Sequence, residues 1–169
     1  MNVYEAIANR YSVRAYLPKP LEQDKLERIL DAARLAPSAC NRQAWKFIVV
    51  RDAKVRQALA EAAEQPFLAQ APVIVAIVGL EPKAMMHCGV PTDPVNCAIA
   101  MEHMALAATA EGLGCCWIGH FQQDSCCRIL GVPQTAEVIE LMPIGYAADA
   151  PRPKLRKALQ EIVTYDKFE

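Results

Sequence analysis

The segment that most constrains the fold is Val73-Ile74-Val75-Ala76-Ile77-Val78, a continuous apolar run of strand length between Pro72 and Gly79. A strand with one solvent-facing side alternates apolar and polar residues, whereas a strand buried on both faces is apolar throughout. The run therefore predicts a central strand that other elements cover on both sides.

The rest of the chain supplies helices and strands for such an arrangement. Apolar residues at helical spacing predict an amphipathic helix over Glu22–Leu35. Asp93-Pro94 has the pattern of an N-cap followed by proline at the first helical position. Glu81–Thr92 has no period and is interpreted as a mobile loop or lid. Further helices are predicted over Val3–Asn9, Ala53–Ala63, Pro94–Glu111, from a cap at Asp124 or Ser125 to Gly131, and Lys154–Val163; further strands are predicted over Trp45–Val50, Cys115–Ile118 and Val138–Met142.

Length and composition limit the class of protein. The 169 residues predict a single domain, residues 1–169, around one core. A formal charge of -1 with 22% charged residues argues against nucleic acid as a partner. Hydrophobic residues make up 53% of the chain, which leaves apolar surface in need of cover and favours an obligate homodimer.

The cysteines indicate a reducing compartment. There are seven, an odd number, and no Cys-x-x-Cys motif occurs, which predicts free thiols in a cytoplasm. For the neighbours Cys115 and Cys116, packing in the core is favoured over a redox pair. His87, Cys88 and His103 lack the spacing of metal ligands, so no metal is assigned.

Neither a signal peptide nor a membrane span is predicted. Met1–Arg10 has no apolar run of signal-peptide length. Val95–Leu113 is the most apolar long segment, but Glu102 and Glu111 make it too polar for a bilayer. The chain is therefore expected to be neither exported nor anchored.

A basic segment, Arg10-Tyr11-Ser12-Val13-Arg14-Ala15-Tyr16, follows the first predicted helix. In an extended conformation Arg10, Ser12 and Arg14 point to one side. Two guanidinium groups and a hydroxyl suit a phosphate monoester, because the planar fork of arginine matches pairs of phosphate oxygens. The alternative interpretation is a solvated, basic edge segment.

Three other stretches each have an ordinary structural interpretation as well as a functional one. Pro37–Trp45 joins a helix to a strand with small and amide residues, as a capping turn also does. Gly112–Gly119 combines glycines with a tryptophan, as a helix stop beside a core aromatic residue also does. Pro153–Lys157 is basic and is equally typical of a charged helix face.

Taken together, these stretches resemble the nitroreductase family of FMN-dependent oxidoreductases in its short form, over nearly the whole chain. The resemblance implies an α+β fold, with a mixed, mainly antiparallel central sheet flanked by helices, and an intertwined homodimer. It is carried by Arg10–Arg14, Pro37-Ser38-Ala39 with Asn41 and Gln43, Gly112-Leu113-Gly114 with Cys116–Gly119, Leu141–Tyr146, and Tyr165–Phe168. The sequence departs from the family pattern at Ala44, Asn96 and Cys115.

The resemblance also implies roles for individual residues. FMN would be held at its phosphate and ribityl chain by Arg10 and Ser12, with Arg14 near the ribityl or the N1 and O2 edge of the flavin. Tyr11 would also belong to the cofactor site. Arg156 would return as another phosphate ligand. The second subunit would contribute Pro37, Ser38, Ala39 and Asn41, and the flavin ring would lie beside Trp117, Ile118 and Gly119.

The function implied is hydride transfer from NADH or NADPH to FMN, followed by reduction of a nitroaromatic or quinone acceptor in a ping-pong scheme. Such chemistry needs no nucleophile from the protein, which fits a sequence without a catalytic triad. Two alternatives stay open. One is other FMN chemistry on the same fold, such as reductive dehalogenation or flavin fragmentation, and the other is a non-catalytic FMN-binding protein.

Overall fold

The computed structural model describes residues 1–168, which form helices and strands connected by turns and loops. The helices are α1 (Val3–Asn9), α2 (Gln23–Arg34), α3 (Ala53–Ala62), α4 (Thr92–Ala110) and α5 (Gln123–Leu130); the strands are β1 (Trp45–Val50), β2 (Val73–Gly79), β3 (Gly114–Cys115) and β4 (Glu137–Gly145). Short 3-10 turns occupy Ala39–Asn41, Pro66–Gln70 and Leu159–Glu161. The predicted α+β class is confirmed.

The central strand of the sheet is β2, as its apolar sequence predicts. The strand order is β1-β2-β4-β3, and every neighbouring pair is antiparallel. Val75 at the middle of β2 lies between Val49 of β1 and Met142 of β4. An isolated parallel bridge joins Ser12, which lies outside the named strands, to Cys115 of β3.

Helices cover both faces of β2, and each face has its own apolar cluster. Alternate residues of β2 point to opposite sides. Ile74, Ala76 and Val78 pack with residues of α3 and α5, including Leu59 and Cys126. The intervening residues of β2 pack on the other face with apolar side chains of α2 and α4; these are Val73, Val75, Ile77, Leu26, Ile29, Met101 and Met104.

The start of α4 differs from the prediction. The helix begins at Thr92, and Asp93 lies inside its first turn instead of capping it. The Asp93 carboxylate is 1% exposed and accepts a hydrogen bond from the backbone N–H of Glu81 at 2.8 Å. It also fills the space in front of Gly79, where a Cβ would come within 2.5 Å of Asp93 Oδ2. The aspartate therefore ties the preceding loop to the helix.

The basic segment is fixed against β3. The backbone N–H of Val13 donates to the carbonyl of Cys115 at 3.0 Å, and Ser12 forms the parallel bridge with the same residue. Gly114 allows this approach, because a Cβ there would lie 2.3 Å from Cγ2 of Val13. The hydroxyl of Tyr16 donates to the carbonyls of Val13 and Pro143. The segment is thus extended, as predicted.

Other predicted elements also differ from the structure in start, extent or type. The helix α5 begins at Gln123, so Asp124 and Ser125 lie inside it and neither is its cap. The strand predicted over Cys115–Ile118 is limited to β3, with Ile118 bridging separately to Leu141. The helix predicted over Lys154–Val163 is absent from the described chain, which has only the Leu159–Glu161 turn there. A helix this short is marginal in water without packing, and Leu155 is 88% exposed. Among residues 1–168 no helix has both the length and the apolar character needed to cross a membrane.

Candidate functional site

A cavity of about 250 Å³ lies between the basic segment and the start of the C-terminal tail, which we define as residues 149–168. Its lining is rich in cations and comes from two stretches of chain that are far apart in sequence. The lining residues are Arg10, Tyr11, Ser12, Arg14, Asp149, Ala150, Arg152, Pro153, Lys154 and Arg156.

The N-terminal side of the cavity is positioned by α1 and β3. The backbone N–H of Arg10 donates to the carbonyl of Ala6, which ends α1 and turns the chain into the extended segment. Arg10 is half-buried, and its Nε finds no hydrogen-bond partner within the described chain. Buried donors are normally paired, so an unpaired guanidinium nitrogen is typical of a site that takes an acceptor.

Asp149 joins the tail to the basic segment. Its Oδ2 accepts a hydrogen bond from the backbone N–H of Arg14, and its carbonyl accepts one from the hydroxyl of Tyr11, both at 2.9 Å. Burial and the charge of Asp149 raise the pKa of Tyr11, so this hydroxyl stays a donor at neutral pH. These two contacts bring the tail across the cavity.

The electrostatics of the cavity favour an anion. Five cationic side chains line it, whereas Asp149 is the one carboxylate among the described lining residues. Desolvation, followed by the charges of Arg10 and Arg156, lowers the pKa of Lys154. The ammonium of Lys154 also donates to the carbonyl of Ala8 near the end of α1. Cations gathered in this way provide charge-assisted donors for an anionic group.

Cys115 and Cys116 belong to the core, on opposite faces of the sheet. Burial raises the pKa of Cys115 to about 12. Burial also raises the pKa of Cys116, although Arg14 and a hydrogen bond with Ser12 oppose that shift. Both are free thiols. Neutral, buried thiols support the packing interpretation, since the thiolate is the reactive form.

The loop that carries Ala39 is held by side-chain acceptors. Asn96 of α4, which is 3% exposed, accepts a hydrogen bond from the backbone N–H of Ala39 at 3.0 Å. Ser38 Oγ accepts one from the backbone N–H of Gln43 at the same distance. Cys40 (φ 52°) and Gln43 (φ 51°) have left-handed backbone conformations that non-glycine residues rarely adopt. The loop is therefore tethered in an unusual conformation, a feature that occurs often at functional sites.

The segment after β3 is positioned by pairing with β4. Ile118 exchanges two backbone hydrogen bonds with Leu141, at 3.0 and 3.1 Å. Trp117 is half-buried, and its Nε1 has no acceptor in residues 1–168. A Cβ at the exposed Gly119 would meet no described atom within 4 Å. This segment therefore offers an unpaired donor and open space.

The structure brings five of the predicted site residues into the cavity and leaves the others outside it. Those in the cavity are Arg10, Tyr11, Ser12, Arg14 and Arg156. Those outside its described lining are Pro37, Ser38, Ala39, Asn41, Trp117, Ile118 and Gly119. The sequence reasoning missed Asp149 and Arg152 and gave no role to Lys154 within its basic stretch, although the alternation of Arg152, Lys154 and Arg156 is a signal for an extended basic row.

Comparisons with known proteins identify the class to which this fold belongs. The model of the nitroreductase family matches residues 7–67 and 61–146. A solved structure of a nitroreductase family protein from Clostridium difficile 630 superposes with a TM-score of 0.91 at 31% identity, covering 99% of this chain and 100% of the other. The chain therefore belongs to the nitroreductase family.

Two curated relatives extend the likeness to named oxidoreductases. A protein of Archaeoglobus fulgidus, provisionally named NADH dehydrogenase/NAD(P)H nitroreductase, is 32% identical over an alignment of 149 residues, with coverage of 85% of this chain and 84% of that one. A protein of Bacillus subtilis named FMN reductase [NAD(P)H] is 28% identical over 184 residues, with coverage of 96% of this chain and 74% of that one.

Proposed function

We propose that this protein is an FMN-dependent NAD(P)H oxidoreductase. The observation that carries the proposal is the cavity in which Arg10, Ser12, Arg14 and Arg156 meet, because these residues converge from both ends of the chain. The nitroreductase family and the names of the relatives support flavin and nicotinamide chemistry. The proposed acceptors are small aromatic compounds of the nitroaromatic or quinone type.

The residues of the cavity fit the phosphate end of FMN. The unpaired Nε of Arg10 shows that this guanidinium is not saturated by protein acceptors in the described chain. Arg156 and Lys154 add charge from the tail, and the hydroxyl of Ser12 adds a short polar group. Charge-assisted hydrogen bonds from arginine are among the strongest available to a phosphate. FMN, when bound, supplies hydride acceptance from NAD(P)H and electron transfer to the second substrate.

The protein groups then have separate tasks. Arg10 and Arg156 bind the phosphate and set the position of the cofactor. Arg14 places positive charge toward the ribityl or flavin edge, where a cation stabilises the negative charge of the reduced state. Trp117 gives an apolar surface that keeps water from the ring. In the proposed ping-pong order, the oxidised nicotinamide leaves before the acceptor enters the same space.

The cofactor site is proposed to be completed by a second copy of the chain. The loop with Ser38, Ala39 and Asn41 does not contribute to the described lining of the cavity in its own protomer. Its tethered conformation is suited to presenting backbone and amide groups to the cofactor of a partner protomer. The proposed assembly is a homodimer with two such sites.

The first test is a titration of FMN into the Arg10→Ala variant. Loss of a charged hydrogen-bond donor costs about 1.5–3 kcal/mol, so the dissociation constant should rise roughly ten- to a hundredfold. Arg128→Ala is the matched control, because Arg128 is an exposed arginine on α5 outside the cavity. FMN affinity that is equal in both variants would contradict the assignment of Arg10.

The second test separates catalysis from simple binding. NADH and NADPH are added anaerobically to the FMN-loaded protein, and the flavin absorbance is followed. Bleaching by either nicotinamide, reversed by a nitroaromatic or a quinone, is the expected result. A yellow protein that neither nicotinamide bleaches would instead indicate binding without turnover, and bleaching reversed only by halogenated substrates would indicate reductive dehalogenation.

A further inference from the structure

Glu140 is a half-buried carboxyl with no task in the cofactor cavity or in the mechanism above. It lies in β4 opposite Ile77 of β2, a residue of the apolar cluster that α4 covers. Its Oε2 is shielded from solvent and has no hydrogen-bond partner among residues 1–168. Buried polar atoms are normally bonded, so one without a partner is a candidate for a functional role.

The register of β4 places Glu140 beside the segment that follows β3. Ile118 pairs with Leu141 in the same antiparallel register that joins β3 to β4. The next position in this register brings Gly119 opposite Glu140, and facing residues of an antiparallel pair lie roughly 4.5–5.5 Å apart at Cα. Gly119 is exposed, and a Cβ there would meet no described atom within 4 Å. The position opposite Glu140 is therefore open.

Trp117 also presents an unpartnered polar atom on this face of the sheet. It packs against the apolar cluster beneath α4, and its Nε1 has no acceptor in the part of the chain that the structure describes. In the register of the segment with β4, Trp117 and Glu140 are diagonal neighbours, roughly 7–8 Å apart at Cα and within reach of long side chains. The indole N–H is thus a donor available to the Glu140 carboxylate after loss of its proton.

The distance from the cavity to Gly119 matches the proposed cofactor. Ser12 lines the cavity and bridges to Cys115, which lies four residues before Gly119. At about 3.3 Å per residue of extended chain, the two ends of this stretch are roughly 13 Å apart. A flavin nucleotide held by its phosphate in the cavity would bring its ring to the Gly119 end. At this point the inference rests on the proposed function.

The surroundings of Glu140 favour its protonated form. Burial raises its pKa to about 7. From α4 the Cys97 thiol faces it, with Asp93 beside the same thiol, and burial followed by these two carboxyls raises the pKa of Cys97 to about 12. β2 contributes the apolar Ile77, and Glu137 on β4 is exposed. None of these groups is a cation, so Glu140 keeps a proton up to about neutral pH, where a proton donor is most effective.

The proposed reaction consumes one proton besides the hydride. A quinone gains two electrons and two protons, and a nitro group loses water to become a nitroso group with the same count. The hydride of NAD(P)H supplies both electrons and one proton. We propose that Glu140 donates the remaining proton to the acceptor oxygen. The O–H bond of the carboxyl breaks as an O–H bond forms on the acceptor, and water reprotonates the carboxylate through the gap at Gly119.

Anaerobic stopped-flow measurements on the FMN-loaded protein separate the two half-reactions. Reduction by NADPH needs no proton beyond the hydride, so Glu140→Gln should leave its rate unchanged. Reoxidation by a benzoquinone should slow roughly a hundredfold in this variant, since a positioned acid contributes about 10²–10⁴ in rate. Reoxidation by ferricyanide, which accepts electrons without a proton, should be equal in both proteins. Glu137→Gln is the matched control, because Glu137 is exposed on the same strand, and it should match the wild type in all three measurements.

The wild-type protein also tests the inference, and this comparison decides if Glu140→Gln does not fold. Its reoxidation by benzoquinone should fall about tenfold per pH unit above about pH 7, whereas reoxidation by ferricyanide should lack this fall. Infrared spectra of the flavin-free protein give a readout that does not depend on turnover. The difference between wild type and Glu140→Gln should show a protonated carboxyl band that disappears with a midpoint near pH 7.

Each outcome bears on a separate claim. Equal benzoquinone rates in wild type and Glu140→Gln would overturn the inference and leave the proposed function standing. Equal slowing with benzoquinone and ferricyanide would also overturn it, because a structural defect would then explain the loss. An infrared difference without a protonated carboxyl at pH 6 would overturn it without reference to catalysis. A protein that binds no FMN, or that neither nicotinamide reduces, would remove the proposed function and the inference with it.

Discussion

Asn96 links the long helix α4 to the loop that carries Ala39. Its Oδ1 accepts the backbone N–H of Ala39, and the side chain is almost fully buried. Asn96→Ala leaves that N–H without its acceptor and frees the loop. We expect the amide of Ala39 to exchange with solvent faster, and FMN affinity to fall roughly three- to tenfold, because a neutral hydrogen bond contributes about 0.5–1.5 kcal/mol.

The control for this prediction is Thr109→Ala at the other end of α4. It removes a hydrogen bond from the Thr109 hydroxyl to the carbonyl of Ala105 and leaves the loop untouched. Hydrogen exchange followed by mass spectrometry, together with an FMN titration, compares the two variants. Slow exchange at Ala39 in Asn96→Ala would show that the loop is held by other contacts.

The ionisation of Glu140 makes the stability of the fold depend on pH. Burial raises its pKa to about 7, and its Oε2 has no hydrogen-bond partner among the described residues. The folded state therefore binds a proton more tightly than the unfolded chain, and stability falls as pH rises from about 4.5 to about 7. The side chain in Glu140→Gln is neutral at every pH, so the free energy of unfolding of this variant should fall less over the same pH range.

The size of that effect is modest because Glu140 is only partly buried. After allowance for solvent screening, Glu140→Gln should raise the free energy of unfolding at pH 8 by about 1 kcal/mol, with little change at pH 5. Urea unfolding at the two pH values measures it. An equal change in the free energy of unfolding at pH 5 and pH 8 would mean that the variant differs in packing and not in ionisation.

At the scale of elements, the contact between the basic segment and β3 positions the cavity. A Cβ at Gly114 would lie 2.3 Å from Cγ2 of Val13, so Gly114→Ala must displace the segment. Overpacking of this kind costs about 1–3 kcal/mol, and we expect a Tm lowered by several degrees, about 2–4 °C per kcal/mol, together with weaker FMN binding.

A double variant tests the cause of that loss. Val13→Ala removes the methyl groups that Gly114→Ala would meet, so the pair should recover part of the FMN affinity that the single variant loses. Gly119→Ala is the control for stability, since its Cβ would meet no described atom within 4 Å. Additive losses in the double variant would contradict a steric cause.

The elements that the sequence predicts well are those with a strong and unambiguous pattern. The apolar run of β2 fits only a strand buried on both faces, and the apolar spacing of α2 fits only a helix with one buried face. The tail is different, because a basic stretch such as Lys154–Val163 can be a helix face or an extended row. Local periodicity does not contain the distant contacts that position the tail, such as that of the Tyr11 hydroxyl with the carbonyl of Asp149.

The same limit applies within the site. Arg10, Ser12 and Arg14 form a recognisable pattern by themselves, and the structure places all three in the cavity. Asp149 could not be found in this way, since its contribution is a hydrogen bond with the backbone of Arg14, which is far away in sequence. Such contacts become visible only when the fold brings distant segments together.

At the scale of the whole molecule, exposed apolar residues indicate an interaction surface. In α1, Val3 is 57% exposed, Tyr4 79% and Ile7 52%, and the tail adds Leu155 and Phe168. Clustered apolar exposure of this kind marks interaction surfaces. A second copy of the chain is the proposed partner, because the loop with Ser38 and Asn41 and the cavity with Arg10 would then form one site.

Mixing two defective variants tests whether the site is shared. Arg10→Ala damages the cavity, and the double variant Ser38→Ala with Asn41→Ala damages the loop, so each homodimer should bind FMN weakly. In a mixed dimer with shared sites, both lesions fall in one site and the other site is intact. Random exchange of equal amounts should therefore restore tight binding in about a quarter of all sites. If each site used its own protomer's loop, every site would carry a lesion, and mixed dimers verified by mass spectrometry would recover nothing.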